Sequence, residues 1–427
     1  MKKLFRLSVL VAFLLFQPAL FGAENATTVL AKGADISWLS EMEKESNFKF
    51  YSDNGVAQDC FQILKDHGIN TIRLRTWVNP NMLDWKNGHC SKAETVAMAV
   101  RAKSWGMRVM IDLHYSDSWA DPGTQTKPAA WSTHTFAQLL TDVYTYTFSV
   151  MSALDSAGVK PEWVQVGNEI STGMLFPDGS TSNWTQLAQL LNKGYDAVKA
   201  VSPTTKVILH VDQGNNNSRF RTWFDNAKSY GAKFDVVGMS YYPYWLSGSP
   251  DYTLSIDALA WNLNDMASRY GKEVMVVETG GLDTKAQNTK DMLVAEITKV
   301  LAVPNNAGLG VVYWEPEASR NWGTYLLSAW NTGTNPQATI AMDAFLTPTS
   351  SLENPKATVK MTFDASGKTL HFSEMLASIE VVSLNGIVLT SISATNALSV
   401  SAFPKGVYLI RARAFDAKNP LVFKIEL

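Results

Sequence analysis

The sequence predicts an α/β protein: a (β/α)8 barrel of the TIM type, followed by a small all-β, sandwich-like domain. Two observations predict the barrel. Short apolar runs of strand length recur through most of the chain, and several follow helical segments that end at glycine. The C-terminal ends of those runs carry acids, histidines and aromatic residues, as the functional face of such a barrel does, while their N-terminal ends carry ordinary surface residues. A third observation predicts the second domain. Beyond Thr347-Pro348-Thr349-Ser350-Ser351 the segments become short and alternating, with turn residues between them.

The chain opens on Lys2, Lys3 and Arg6, then the apolar run Val9 to Phe16, then the small residues Gly22 and Ala23. This pattern fits a secretory signal peptide over residues 1–23 and implies a protein that is secreted or placed in the cell envelope. The run is too short for a stable membrane anchor, and no later segment is long and apolar enough to span a bilayer. The barrel is assigned to residues 24–347. Its strands are read at Gly33 to Trp38, Ile69 to Arg75, Met107 to His114, Trp163 to Glu169, Lys206 to Val211, Phe234 to Tyr242, Glu273 to Glu278 and Leu309 to Trp314. Helices ending at Gly68 and Gly106 precede the second and third strands, and one over Trp184 to Val201 precedes the fifth. An open doubly wound sheet is disfavoured, because no glycine-rich phosphate loop follows the first strand. The second domain, residues 351–427, is read from Thr358 to Phe363, Thr369 to Phe372, Ile379 to Ser383, Ile387 to Ile392 and Gly406 to Arg413. It contains no tryptophan to offer a sugar, so a carbohydrate-binding role is not favoured for it.

With 427 residues, 46% of them hydrophobic, the chain is long enough for a large core and a second domain. A net charge of -2 gives no reason to expect nucleic acid or an anionic membrane surface. The 14 tryptophans fit core packing or stacking against the apolar faces of sugar rings. Cys60 and Cys90 are the only cysteines. In an exported chain they form one disulfide or stay two buried thiols, and spacing leaves both open.

Two strands end in a glutamate. The run Trp163 to Val166 stops at Gly167 and delivers Asn168 and Glu169, and the run Val274 to Val277 delivers Glu278. A lone acid at a strand end is usually a satisfied structural group. A pair on the fourth and seventh strands of one barrel suits retaining glycoside hydrolysis, in which an acid and a nucleophile stand about 5–5.5 Å apart. Arg73, on the second strand, can keep the nucleophile ionised. Asn168 can donate to a sugar hydroxyl, His114 can bind one or order the acid's proton network, and Tyr241 can hydrogen-bond the nucleophile. Trp314 ends the eighth strand and can lie under the sugar at the cleavage point. No metal site is read, because His114 and His210 lie on different strands and no short ligand motif joins them. No cofactor is implied.

The stretches Gly33-Ala34-Asp35-Ile36-Ser37, Asn70 to Pro80, Asp112 to Trp131, Gln165 to Ile170, Ser240-Tyr241-Tyr242-Pro243, Val277-Glu278-Thr279 and Trp314-Glu315-Pro316 run through the whole barrel. With them the chain resembles glycoside hydrolase family 53, the endo-β-1,4-galactanases. The resemblance implies Glu169 as acid/base and Glu278 as nucleophile. It implies substrate contacts near Arg73, His114, Asp121, Asn168, Tyr241 and Trp314, and a polysaccharide substrate, β-1,4-galactan. A monomer is expected. The sequence departs from the family pattern after the eighth strand, at Trp330 to Gln337, where Trp330 stays a candidate stacking platform. Some bacterial relatives hold calcium between the loops after strands seven and eight. Here the loop Gly280 to Lys290 has Asp283 as its one obvious hard-oxygen ligand, so no calcium is expected. Another barrel endoglycanase, a mannanase or xylanase, and an inactive carbohydrate-binding barrel are the alternative readings. Phe403 to Arg411 resembles the C-terminal sorting-type domains of secreted bacterial proteins, so residues 351–427 are expected to be a sorting or accessory module.

Overall fold

The computed structural model describes residues 29–45, 48–80, 89–347, 361–383, 388–413 and 421–427. The expected signal segment and most of the expected linker lie outside these residues. The chain divides after Thr347 into two units.

In the first unit eight parallel strands close into a barrel. They are β1 (Ala31–Asp35), β2 (Thr71–Thr76), β3 (Arg108–Leu113), β4 (Trp163–Val166), β5 (Lys206–Val211), β6 (Val236–Tyr241), β7 (Glu273–Thr279) and β8 (Gly308–Trp314). β1 pairs with both β2 and β8, which completes the ring. The crossovers hold α1 (Leu39–Glu45), α2 (Cys60–Asp66), α3 (Lys92–Ser104), α4 (Phe136–Ser156), α5 (Trp184–Val201), α6 (Asn217–Ser229), α7 (Ile256–Tyr270) and α8 (Ala286–Leu301). Side chains that accept orphan backbone N–H groups fix several helix starts: Asp59 for α2, Ser91 for α3, and Thr135 with Gln138 in a reciprocal capping box for α4. No helix among the described residues is long and apolar enough to cross a membrane.

Alternation sends every second strand residue into the barrel. Low in the barrel these are apolar: Ala31, Met110, Trp163, Ile208, Val236 and Met275 form a packed floor. Further up they turn polar: Asp35, Arg73, Asp112, Gln165, His210 and Ser240 are all buried. The outward residues pack under the helices in the main core. A dry apolar plug therefore supports a polar layer at the C-terminal ends of the strands. Cys60 and Cys90 are free and buried, so the two-thiol alternative holds, and burial pushes the Cys90 thiol up to about 12.

The second unit is all-β, with β9 (Met361–Asp364), β10 (Thr369–Ser383), β11 (Val388–Ser399), β12 (Val407–Arg413) and β13 (Leu421–Glu426) in one antiparallel sheet. β10 carries β11 along one edge, and β9 and then β12 along the other. The two segments expected at Thr369 to Phe372 and Ile379 to Ser383 are one strand. Its pairing shifts register between His371 and Leu376, an irregularity that breaks the alternation without ending the strand. Leu370, Leu376, Ile379, Val381, Ile410 and Ala412 form its own core.

The seam of the barrel depends on a small residue. Gly310 of β8 faces Ala31 of β1, and an added Cβ would lie 2.2 Å from the Ala31 carbonyl oxygen. Gly310→Val should lower stability by about 1–3 kcal/mol. Chemical denaturation reads this as a lower midpoint, and an unchanged midpoint would mean that the seam opens without cost.

Candidate active site

Arg73 sits at the centre of the polar layer. Its guanidinium donates from Nε to Gln165 Oε1 (2.6 Å) and from Nη1 to Asp35 Oδ2 (2.6 Å). Nη2 donates to Asp112 Oδ2 (2.9 Å) and Asn168 Oδ1 (3.0 Å), and lies 2.7 Å from Glu278 Oε1. Burial opposes its charge, but Asp112, Glu278 and Asp35 together hold it protonated. Burial alone would raise the Asp112 carboxyl as well, yet Arg73 brings it below the ordinary value. Asp112 also meets His114 Nε2 at 3.0 Å. His114 Nδ1 accepts from Trp77 Nε1 and from the Ala120 N–H, each at 3.2 Å, so the Nε2 proton is aimed at Asp112.

Glu169 and Glu278 reach this layer through departures from regular backbone. β4 ends where Gly167 takes φ 90°, a conformation that favours glycine, and a Cβ there would lie 2.6 Å from Ile170 Cγ2. Glu169 itself is left-handed, with φ 43° and ψ 51°, sparsely populated for a residue with a side chain. On β7 the pairing with β6 skips a residue: Met239 faces Val276, but Ser240 faces Glu278. This bulge sends both Val277 and Glu278 inward, Val277 to the apolar floor and Glu278 to Arg73. The next residue, Thr279, points outward and donates to Glu296 on α8 at 2.8 Å.

Carboxyl oxygens of Glu169 and Glu278 and a ring nitrogen of His210 all lie within 4.8 Å of one another. That spacing would suit a metal ion, but a cation there would press against the Arg73 guanidinium, 2.7 Å from Glu278. Burial raises both carboxyls. Glu169 is pushed up to about 7; a hydrogen bond from Ser240 opposes the rise, and the charges of Asp212 and Asp121 add to it. For Glu278 the opposing pull is Arg73 in direct contact, and Tyr242 Oη donates to its Oε2 at 3.4 Å. Of the two carboxyls, Glu278 is the one in contact with the Arg73 cation, which favours its ionised form.

A relay fixes the surroundings of Glu169. Ser240 Oγ donates to Glu169 Oε1 at 2.6 Å, and His210 Nε2 lies 2.7 Å from Ser240 Oγ. Since the hydroxyl spends its hydrogen on Glu169, His210 is the donor to it. His210 Nδ1 then accepts from Gln165 Nε2 (2.9 Å) and the Glu169 N–H (3.3 Å). Burial holds the His210 ring well below its usual value, which keeps it neutral for this role. Asn168 Nδ2 donates one hydrogen to the Ala120 carbonyl at 2.8 Å, which leaves its second for a ligand.

An aromatic wall stands beside the carboxyl pair. Trp314 meets Tyr325 at 4.9 Å, Trp38 at 5.1 Å and Trp119 at 6.0 Å, all edge-on. Behind it the buried Arg75 guanidinium lies 4.4 Å from the Trp119 ring and 6.0 Å from that of Trp314, and is bonded to Glu315. Trp314, Trp119 and Tyr325 keep part of their surface open, as a platform requires.

The structure thus brings together Glu169, Glu278, Arg73, Asn168 and His114, with Trp314 in the adjoining wall. Asp121 lies close enough to act on the Glu169 proton, and its Oδ1 accepts the Gly123 N–H at 2.7 Å. Two expectations are corrected. Tyr241 does not bond the nucleophile: its side chain leaves the barrel on the helix side, where its hydroxyl meets Ser255 Oγ at 2.8 Å. The neighbouring Tyr242 is the one that reaches Glu278, because Gly238, Ser240 and Tyr242 share a parity and Tyr241 does not. Trp330 offers no stacking face, since it is fully buried in the main core and bridged to Ala338. Asp283 is committed to Arg320, which contacts both its oxygens at 2.6 and 2.8 Å. Sequence reasoning passed over Ser240, Gln165 and Trp119, and the same parity could have found the first two.

Two opposed carboxyls at the mouth of a barrel, one of them in contact with an arginine, match the apparatus of the barrel glycoside hydrolases. Residues 31–371 match the profile described as Glycosyl hydrolase family 53, and the chain belongs to that family. A probable arabinogalactan endo-β-1,4-galactanase A of Neosartorya fischeri is 36% identical over 312 residues, 68% of this chain and 85% of that protein. An arabinogalactan endo-β-1,4-galactanase of Thermothelomyces thermophilus is 34% identical over 303 residues, 66% of this chain and 88% of that protein. Among solved structures, a fungal β-1,4-galactanase superposes with a TM-score of 0.66 at 30% identity, over 74% of this chain and 98% of that one. The GH53 catalytic domain of Ignisphaera aggregans gives 0.67 at 28% identity, over 75% and 97%.

The Ser240 bond stabilises the ionised form of Glu169, so removing it should raise the carboxyl further above about 7. Carboxyl 13C NMR of Ser240→Ala is expected to give a higher Glu169 titration midpoint than the unsubstituted protein. A midpoint that stays or falls would discard the relay.

Proposed function

We propose that this protein is an exported, endo-acting, retaining galactanase that cleaves β-1,4-galactosidic bonds in galactan and in type I arabinogalactan side chains of pectin. The Glu169–Glu278 pair carries the proposal. Its oxygens approach within 4.8 Å, near the roughly 5–5.5 Å of a retaining pair and short of the roughly 6.5–9.5 Å that an inverting enzyme needs for its water. The substrate follows from the galactanase names of relatives that align over most of their length. Export rests on the basic-then-apolar start of the sequence. Residues 351–427 are a sorting or accessory module, and a monomer suffices because one chain supplies every site residue.

In the first step Glu278 attacks the anomeric carbon while Glu169 passes its proton to the glycosidic oxygen. The bond between carbon and that oxygen breaks, and the leaving chain departs as an alcohol. Water then attacks the glycosyl ester, Glu169 takes the water's proton, and Glu278 is released as carboxylate. Arg73 keeps Glu278 ionised before attack. The spare Asn168 hydrogen bonds the hydroxyl beside the anomeric carbon. Trp314 lies under the sugar at the cleavage point, and His114, held by Asp112 and Trp77, lines the same cavity wall.

Glu278→Gln should cut galactan turnover by at least about a thousandfold, and Glu169→Gln should keep more of its rate on substrates with a good leaving group. Near-normal galactan hydrolysis by either variant would sink the assignment, as would inverted anomeric product seen early by NMR. Because the acid must be protonated, kcat/KM should fall as pH rises through about 7. A flat profile through that range would remove Glu169 from the acid role.

A further inference from the structure

β7 and β8 are neighbours in the ring, and one residue joins the loops that follow them. That residue is Asp283, in the loop after β7, the strand that carries Glu278. Its carboxylate accepts two parallel bonds from Arg320 in the loop after β8, Nε to Oδ2 at 2.6 Å and Nη2 to Oδ1 at 2.8 Å. Its backbone N–H donates to the Leu326 carbonyl at 3.0 Å. Asp283 thus grips both ends of the segment 320–326. The Asp283 side chain is 2% exposed, so the paired carboxylate is shielded from water. The gripped segment is strained: Gly323 and Thr324 are both left-handed, with φ 62° and 58°, a region disfavoured for threonine. Such a turn keeps its shape only where its surroundings fix it. Tyr325 comes next. Its ring packs edge-on against Trp314 at 4.9 Å and Trp38 at 5.8 Å, and its hydroxyl donates to the Trp314 carbonyl at 3.5 Å.

We propose that Arg320 and Asp283 are positioning residues: their ion pair fixes the turn 320–326, holds Tyr325 against Trp314, and so sets the face that Trp314 offers the sugar. This rests on the galactanase function proposed above. Trp38 and Trp119 approach Trp314 from the loops after β1 and β3, whereas Tyr325 approaches from the loop after β8. The clamp ties that last loop to the one after β7. The aromatic wall and the nucleophile's own strand are thereby held to each other beyond the barrel, where backbone pairing between the strands has ended. Neither charged residue touches the sugar in this role. Without the clamp the strained turn relaxes, Tyr325 leaves its place against Trp314, and substrate binding has to order both rings again, which weakens it.

Steady-state kinetics on galactan provide the test. Arg320→Met removes the forked donors, and KM should rise about fivefold. Arg320→Lys keeps the charge but not the paired donors, and its KM should fall between the two. KM does not depend on how much of a variant is folded, so a loss of stability alone leaves it in place. In a Tyr325→Ala background the same Arg320→Met change should move KM by less than about twofold, because the clamp acts through Tyr325. Where Arg320→Met yields no folded protein, Arg320→Lys is read in the same two backgrounds. An unchanged KM, or an equal rise with and without Tyr325, overturns the clamp alone as long as the unsubstituted enzyme cleaves galactan. An unsubstituted enzyme that leaves galactan intact overturns the proposed function and the clamp with it.

Discussion

A single buried cation among carboxylates constrains the whole mouth of this barrel. Arg73 touches Asp35, Asp112 and Glu278, and none of these groups has bulk water to dissipate its charge. The layer tolerates that many acids only because the guanidinium is planar, permanently charged and supplied with several fixed donors. Its removal would leave uncompensated buried charge, which typically costs about 3–5 kcal/mol. By the same count a further negative charge in the layer is costly, in keeping with the upward push on the Glu169 carboxyl.

The backbone does as much as the charges. A barrel strand with strict alternation points its side chains inward at fixed heights, and a carboxyl pair spaced for one sugar ring does not fall on that grid. Two local irregularities supply the offset. Gly167 and the left-handed Glu169 lift the acid clear of the end of β4, and the bulge at Val277 turns Glu278 into the mouth. Behind the aromatic wall, Arg75 and Glu315 form a second buried ion pair. The Arg75 guanidinium also lies 4.4 Å from the Trp119 ring and 6.0 Å from that of Trp314, so a buried cation is packed against the wall.

Much of this was legible in the sequence because barrel strands announce themselves. All eight observed strands overlap their expected spans; the first is displaced toward the N-terminus, to Ala31–Asp35, and the fourth ends early because Gly167 leaves the strand. The two acids could be read because each follows a buried apolar run. What was not legible was which way each tip residue faces. Tyr241 and Tyr242 are chemically alike and adjacent, and only the parity of β6 decides between them. Trp330 failed for another reason. Its burial depends on a returning segment, bridged through Ala338, that no local pattern signals. Ser240 escaped notice because a serine at a strand end carries no chemistry until a histidine and a glutamate are placed around it.

The bulge on β7 also bears on how the gene for such an enzyme can change. Side-chain direction along a strand works like a reading frame of period two, and Val277 is the inserted unit that shifts it. If β7 ran without the bulge but kept Val277, regular alternation would turn Glu278 outward against α8, where Thr279 now meets Glu296, and would bring Thr279 round toward Arg73. Deleting Val277 along with the bulge would leave Glu278 opposite Ser240 and still inward, but would take a side chain out of the apolar floor. The direction of the acid is thus inherited as an agreement between residue count and strand irregularity, and a change in either one alone reverses it.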